Sequence, residues 1–406
     1  MRTGTEPGGR IPALNGLRAF AISGVVLIHL FGISGVLVAG DGSFHDRAIF
    51  TVFGNTLDIF FIISGFGLFL PIVRSNGRLP RTGEFLLKRF ARLQPEYWLC
   101  LVVILGLMAF VPIDFGSPFP SPMVILIHFL DLQKAVQLLD PDFVVGLFIG
   151  GGALWLVPVI AGLYLIFPLL ARMMVWSIPA AVGAAALVTF AWKVAPEHLP
   201  GLFQALSGHQ TTDDNIRLIA ADQTPAYVYS FALGMAAAWI YNLADKNRDS
   251  PWLGRGVLIA FVVGLPAYIL LSFNYTDAAL TSVNGIDAAS RGRTLALNGL
   301  AASTTRAILI LALILGPLWL QRPFAGRTAQ WIADQSYGIY LIHLPVAFLV
   351  LSYIAPPQNG TVKAFATWLV IVLPVATAYA WCSRRFVGLP ASRAMNLRLE
   401  SRRRAG

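Results

Sequence analysis

Apolar runs of about 20 residues recur along almost the whole 406-residue chain, and only short polar stretches separate them. A helix of about 20 residues crosses the hydrocarbon core of a bilayer and satisfies its own backbone hydrogen bonds there. Runs of this length, repeated this often, exclude a soluble globular fold. We therefore expect an all-α fold, a polytopic bundle of transmembrane helices.

The apolar runs predict about ten membrane spans. They lie at residues 12–38, 49–73, 96–113, 152–171, 175–194, 225–243, 256–273, 299–320, 335–354 and 363–382. Segment 121–139 is also apolar, but it contains Asp131 and Lys134. We expect that segment to lie in the interface or to dip into the protein rather than to span the membrane.

The basic residues set the expected orientation. Most of the 30 lysines and arginines fall in segments that a cytoplasmic N-terminus would place inside, as the positive-inside rule requires. An even number of spans then puts both termini in the cytoplasm. We expect one membrane domain over residues 1–395, followed by a basic cytoplasmic tail over residues 396–406.

Composition excludes several other classes of protein. Hydrophobic residues make up 56% of the chain and charged residues only 12%. The net charge of +10 would suggest a nucleic-acid partner in a soluble protein, but here membrane topology accounts for it. The two cysteines, Cys100 and Cys382, form no disulfide or metal-binding pattern. The expected partner is the lipid bilayer, with no nucleic acid and no metal, and the oligomeric state is left open.

Arg18 and His29 are two ionisable residues inside the first apolar run. Eleven residues are almost three helical turns, so both side chains share one face, about 16 Å apart along the axis. Ionisable groups inside a membrane are costly and usually functional. The alternative is that Arg18 reaches the cytoplasmic headgroups while His29 hydrogen-bonds to a neighbouring helix.

Asp58 lies in the second predicted span at a depth close to that of His29. A carboxylate beside an imidazole fixes its tautomer and stabilises its protonated form, as a general base requires. The alternative is a fixed ion pair that holds two helices together. In the same span, we expect Ser64 and Gly65 to allow close helix packing.

Arg89 and Arg92 lie just before the third predicted span, on the cytoplasmic side. Guanidinium groups three residues apart share one helical face and suit the phosphates of a nucleotide. The alternative, more common for such residues, is anchoring to anionic lipid headgroups.

Three polar residues of the ninth span, Ser336, Tyr340 and His343, follow an i, i+4, i+7 pattern. They therefore line one face of a helix. A polar stripe on a membrane helix faces a cavity or a partner helix, so His343 is a candidate either for catalysis or for hydrogen-bonded packing.

In these residues and their order, the chain resembles the acyltransferase-3 family of integral membrane O-acyltransferases. The resemblance covers about residues 10–395 and rests on four motifs in order. They are R-x10-H at Arg18 and His29, D-x-F-F-x-x-S-G-F at 58–66, R-x-x-R at Arg89 and Arg92, and S-Y-x-x-Y-L-x-H at 336–343.

The chain departs from the family pattern at two acidic positions. Many members carry W-S-L-x-x-E-x-x-x-Y; here Trp155 and Tyr164 keep the spacing, but Ile160 replaces the glutamate. Many also end with Glu-x-Pro, where this chain has Gly388. These departures concern the class of acceptor more than the type of reaction.

The resemblance implies transfer of an acyl group, most often acetyl, from cytoplasmic acetyl-CoA or another acyl-CoA. The acceptor would be a hydroxyl of a cell-envelope glycan or glycolipid on the outer side of a bacterial inner membrane. On this interpretation, the catalytic residues are His29, Asp58 and Arg18. The donor-binding residues are Arg89, Arg92 and Arg18. The implied substrate path includes Ser336, Tyr340, His343, Trp155 and Tyr164.

His29 would act either as a general base or as a covalent carrier of the acyl group. Loops 195–224 and 274–298 are expected to flank the acceptor's access route. The alternative function is a proton-coupled transporter or flippase that uses Arg18, His29 and Asp58 as a relay; a third possibility is a non-catalytic subunit.

Overall fold

The structure, a computed structural model, describes residues 11–37, 44–54, 56–208, 219–220, 222–247, 250–280 and 288–405. The described residues form helices joined by short connections, with no β-strand among them. The all-α prediction is therefore confirmed.

Sixteen helices carry labels here. They are α1 (Pro12–Ile33), α2 (Phe44–Ile49), α3 (Leu57–Arg74), α4 (Thr82–Phe110), α5 (Pro122–Phe129), α6 (Gln133–Leu139), α7 (Leu156–Trp176), α8 (Ile178–His198), α9 (Pro200–Ser207), α10 (Val228–Asp245), α11 (Pro251–Leu280), α12 (Ala288–Leu315), α13 (Leu318–Ala325), α14 (Arg327–Ile354), α15 (Val362–Ser383) and α16 (Leu389–Ala405). Short 3₁₀ segments cover Ile149–Trp155 and Thr224–Tyr227, and π-helical turns cover Phe50–Gly54 and Arg384–Gly388.

Nine stretches of helix in the described residues are long and apolar enough to cross a membrane. Each of them overlaps one of the ten predicted spans. The remaining prediction, 225–243, corresponds to α10, which is rich in alanine and buried along much of its length among other helices. The polytopic helical bundle is therefore confirmed, and the cytoplasmic placement of both termini stays a prediction.

Helices α3 and α10 cross at close range. A Cβ atom added to Gly65 would overlap the carbonyl oxygen of Phe231, and one added to Gly234 would overlap that of Ile62. Small residues let membrane helices approach until their backbones touch. The expectation that Gly65 permits close packing is confirmed, and Gly234 is its counterpart.

Helix α14 lies near the centre of the bundle and packs on both α1 and α15. Its middle part is buried on most sides. Gly338 provides the contact with α15, where an added Cβ would overlap Ala380. The packing of α14 against α1 places the predicted polar stripe beside the helix that carries Arg18 and His29.

Segment 121–139 forms a helical hairpin, α5 and α6, that dips into the protein. The indole nitrogen of Trp98 donates to the carbonyl of Phe129 at 3.0 Å, and the amide of Gln133 donates to the Tyr97 hydroxyl at 2.9 Å. Tyr97 and Trp98 lie in the middle of α4, so the hairpin reaches well past the end of that helix. Of the two expectations, a dip into the protein is the one the contacts support.

Helix ends differ from the sequence expectation at several places. Helix α4 begins at Thr82 rather than near residue 96, so the R-x-x-R motif is helical. Helices α11 and α12 occupy 274–280 and 288–298, much of the loop expected at 274–298. Residues 209–218, 221 and 281–287, which belong to the two expected access loops, lie outside the described residues.

Candidate active site

His29 and His343 form a direct contact between α1 and α14. The Nδ1 atom of His29 lies 3.0 Å from Nε2 of His343, and the ring centroids are 5.1 Å apart. His343 is fully buried, whereas His29 keeps part of its surface accessible. Two residues 314 positions apart in sequence thus share one hydrogen bond inside the bundle.

The backbone around His343 fixes the direction of that hydrogen bond. Nδ1 of His343 lies 2.7 Å from the carbonyl oxygen of Tyr340 and 3.2 Å from that of Ile339. A carbonyl can only accept, so we assign the proton of neutral His343 to Nδ1 and a lone pair to Nε2. Nδ1 of a neutral His29 must then be the donor, which leaves the lone pair on Nε2 of His29. This is the tautomer that a general base needs.

Asp58 does not make the contact expected of it. Its Oδ2 atom accepts from Nη1 of Arg306 at 2.7 Å and from the Ser303 hydroxyl at 2.7 Å. The expected partner of His29 was this carboxylate, but the recorded partner is His343. Matching depth in two spans fixes a height in the membrane, not the direction in which a side chain points, and Asp58 faces α12.

Arg306 is a site residue that the sequence analysis missed. Its side chain is 8% exposed and forms the ion pair with Asp58. It also lies 3.4 Å from the Ser272 hydroxyl and sits over the Tyr268 ring at 5.2 Å. The signal was available, because an arginine inside the predicted span 299–320 meets the same criterion that singled out Arg18.

Arg18, Arg89 and Arg92 form a cluster at one end of the bundle, here called the arginine end. Their guanidinium groups are close enough to interact electrostatically with one another, although they come from α1 and α4. The phenol of Tyr164, on α7, interacts with both Arg18 and Arg89. The structure thus places the three arginines together, and their role in donor binding stays a prediction.

Two carboxylates lie within electrostatic range of the arginine cluster, since Asp334 interacts with Arg18 and Glu96 interacts with Arg92. Across the described part of the chain, no ion pair is recorded for any of the three side chains. Arg18 has a weak hydrogen bond to the Asn15 side chain at 3.4 Å, and Nε of Arg89 is buried without a hydrogen-bond partner. Guanidinium groups in this state provide unused donors for an anion such as phosphate.

The predicted stripe on α14 is buried, and its hydroxyls are already engaged. Ser336 donates to the carbonyl of Ala333 at 2.8 Å. The Tyr340 hydroxyl donates to the carbonyl of Ala153, in the 3₁₀ segment Ile149–Trp155. Tyr340 therefore fastens a glycine-rich turn beside the histidine pair, and roles of these residues in a substrate path stay predictions.

The two residues kept from the W…Y pattern lie in different surroundings. Trp155 packs against Tyr227 with ring centroids 6.0 Å apart, while Tyr164 lies at the arginine cluster. Tyr227 donates to Asp222 at 3.0 Å. This carboxylate, from the segment before α10, is another acidic group that the sequence analysis did not single out.

Gly388, the second departure, also has a structural counterpart. A Cβ at Gly388 would overlap the carboxylate oxygen Oε1 of Glu96, whose Oε2 accepts from the Ser383 hydroxyl at 3.0 Å. An acidic group from α4 thus occupies the space that a side chain at 388 would need.

The arrangement combines two chemical capacities on α1. At the arginine end it offers guanidinium donors for a phosphate-bearing ligand, and nearly three turns away it offers an imidazole with a free lone pair. Among the described residues, no group of three or more His, Cys, Asp or Glu side chains is placed to hold a metal ion. The three arginines are residues that could hold a phosphate-bearing cofactor.

Comparison with known proteins gives one match. The family model Acyl_transf_3, described as an acyltransferase domain, matches residues 11–384, a range that includes every candidate site residue discussed above except Gly388. Searches of the curated proteins and of the solved structures gave no significant match.

Proposed function

Because the chain belongs to the acyltransferase-3 family and is a multi-pass membrane acyltransferase, we propose that it transfers an acetyl group from cytoplasmic acetyl-CoA to an acceptor hydroxyl. The acceptor is a glycan or glycolipid of the cell envelope, on the opposite side of a bacterial inner membrane. The observation that carries the proposal is the contact between His29 and His343, because His29 lies eleven residues, almost three helical turns, from Arg18 of the arginine cluster on the same helix.

The donor binds through its phosphates. Arg89 and Arg92 receive them at the surface, and Arg18 holds the deeper part of the nucleotide. The unused guanidinium donors support this role, because charge-assisted hydrogen bonds to phosphate are among the strongest in proteins. The pantetheine arm then runs along α1 toward His29.

Nε2 of His29 removes the proton of the acceptor hydroxyl as its oxygen attacks the thioester carbon. A new C–O bond forms, the C–S bond breaks, and the proton passes from His29 to the departing thiolate of CoA. His343 accepts the Nδ1–H of His29 throughout, so it supports the imidazolium that forms between these two transfers. If His29 instead carries the acyl group, the same lone pair attacks the thioester first.

Asp58 does not contact His29 in this mechanism. Its negative charge is balanced by Arg306, so it contributes to the shape and polarity of the bundle interior rather than to the orientation of His29. Trp155 and Tyr227 provide aromatic surface on the side away from the arginines. We place the acceptor there, and Ser336, Tyr340 and Tyr164 border the route between the two substrates.

The proposal is tested with purified protein in nanodiscs, acetyl-CoA labelled in its acetyl group, and a lipid extract of the source membranes as acceptor pool. His29→Gln is expected to reduce acetyl transfer at least about a hundredfold, since a general base contributes that much or more. The matched control is His45→Gln, because His45 is exposed on α2 and should leave transfer unchanged. Near-normal transfer by His29→Gln would show that the histidine pair is not the catalytic centre.

The alternative of a proton-coupled transporter finds less support. A relay of Arg18, His29 and Asp58 needs these groups in one hydrogen-bonded line, whereas Asp58 is paired with Arg306. The acyltransferase family match also favours the enzyme. Substrate counterflow without acetyl-CoA consumption is the result that would favour the transporter.

A further inference from the structure

The C-terminal helix α16 runs alongside the first half of α4, the part that carries Arg89 and Arg92. It begins at Leu389, beyond the residues 11–384 that the family model matches. The tail expected from residue 396 is therefore the second half of a continuous helix. Three contacts join this region to α4, at Glu84, Ala91 and Glu96.

The first contact is buried. Glu96 is 8% exposed, accepts a hydrogen bond from Ser383, and fits into the space left by the missing side chain of Gly388. The π-helical turn Arg384–Gly388 is fixed on its other side, because Arg384 pairs with Asp334 of α14 at 3.1 Å. This end of the contact is thus held by packing as well as by charge.

The other two contacts extend the connection to the start of α4. The Ser392 hydroxyl donates to the carbonyl of Ala91 at 3.3 Å. At the far end, Nε of Arg403 lies 3.1 Å from Oε2 of Glu84, and its Nη2 contacts the same oxygen. Glu84 and Ala91 lie on the two sides of Arg89, and Ala91 and Glu96 lie on the two sides of Arg92.

This half of α4 needs such support. The continuous apolar part of that helix begins near residue 96, and in the turns from Thr82 to Arg92 the recorded ring contact to another long helix is Phe85 on Phe167 of α7. Three clustered guanidinium groups also repel one another while no anion is bound. The contacts with α4 lie before Arg89, between the two arginines and after Arg92; α16 makes the first two, and the turn that precedes α16 makes the third. Together they oppose this repulsion.

We propose that α16 and the π-helical turn before it, residues 384–405, form a strap that positions Arg89 and Arg92 for the phosphates of the donor. The inference rests on the proposed function in one respect, the identity of the donor as acetyl-CoA. The strap residues are positioning residues, because the contacts recorded for them go to α4 and α14 rather than to a reacting group.

Charge exchange tests the strap directly. In nanodiscs of neutral phosphatidylcholine, Arg403→Glu is expected to raise the KM for acetyl-CoA about threefold with kcat little changed, as befits an exposed ion pair. Glu84→Arg combined with Arg403→Glu should restore the wild-type KM. Arg402→Glu and Arg404→Glu are matched controls, since they change the same charge in the same turn without the Glu84 contact. Equal effects of all three reversals would overturn the proposal in favour of a general charge effect.

A second measurement does not depend on the donor. Gly388→Ala should displace Glu96, and amide hydrogen exchange over residues 85–93 should accelerate at least about threefold relative to wild type. Gly326→Ala, at a glycine with more room around it, is the control that should leave exchange there unchanged. Unchanged exchange in both Gly388→Ala and Arg403→Glu would refute the strap. If wild-type protein binds no acetyl-CoA, the donor assignment fails, while hydrogen exchange still decides whether α16 holds α4.

Discussion

At the scale of single residues, the chemistry depends on which nitrogen of His29 carries the proton. The backbone carbonyls of Ile339 and Tyr340 fix the tautomer of His343, and His343 in turn fixes that of His29. The orienting partner that many catalytic histidines find in a carboxylate is here a second imidazole. His343 therefore orients His29 in addition to packing between helices.

Substitution of His343 separates that role from a structural one. His343→Phe removes the acceptor for Nδ1–H of His29, so we expect kcat to fall roughly tenfold to a hundredfold while the KM for acetyl-CoA stays the same. His343→Gln keeps an acceptor oxygen near the same place and should recover part of the loss. Steady-state kinetics in nanodiscs measure both variants, and a wild-type kcat for His343→Phe would contradict the assigned role.

The sequence named the candidate site residues, but it did not give their pairing. The sequence grouped Arg18, Arg89 and Arg92 correctly, because all three were predicted to lie at the same side of the membrane. The contact of His29 with His343 could not be derived, since it depends on how α1 and α14 rotate against each other. Asp58 was assigned to the wrong neighbour for the same reason.

At the scale of helices, the bundle depends on a few places where backbones touch. Gly65 and Gly234 form one such crossing, and each is adjacent to backbone of the other helix. The predicted spans identified the helices, because apolar length is what a bilayer requires. They did not identify helix ends, since α4 continues for several turns outside its apolar part and α11 reaches Leu280.

Glycine substitution tests the crossing of α3 and α10. Gly65→Ala and Gly234→Ala place a methyl group against a carbonyl oxygen, and we expect each to destabilise the fold by about 1–3 kcal/mol, as overpacking typically does. Gly183→Ala is the control, because nothing lies within 4 Å of the added Cβ and alanine favours the helix. Thermal unfolding in detergent compares the three. Equal melting temperatures for all of them would mean that the helices are not in close contact.

At the scale of the whole molecule, helix α1 connects the arginine cluster to the histidine pair. The arginine cluster and the histidine pair both use α1, and α14 and α4 complete them from either side. Composition and apolar runs predicted the membrane bundle, and the four motifs predicted the family. Two elements were not predicted, the 3₁₀ turn beside Tyr340 and the strap, because they depend on tertiary contacts rather than on a periodic sequence pattern.

A cryo-electron microscopy structure of the protein with acetonyl-CoA would show whether the donor joins the two sites; in this analogue a methylene group stands between the sulfur and the carbonyl carbon, so no acetyl transfer occurs. We predict that phosphate oxygens of the analogue lie within hydrogen-bond distance of Arg18 and Arg89. We also predict the carbonyl carbon of the analogue near His29, with room for an acceptor oxygen about 3–3.5 Å from it. Phosphates bound away from the arginine cluster, or a carbonyl group that does not reach the histidine pair, would contradict the proposed mechanism.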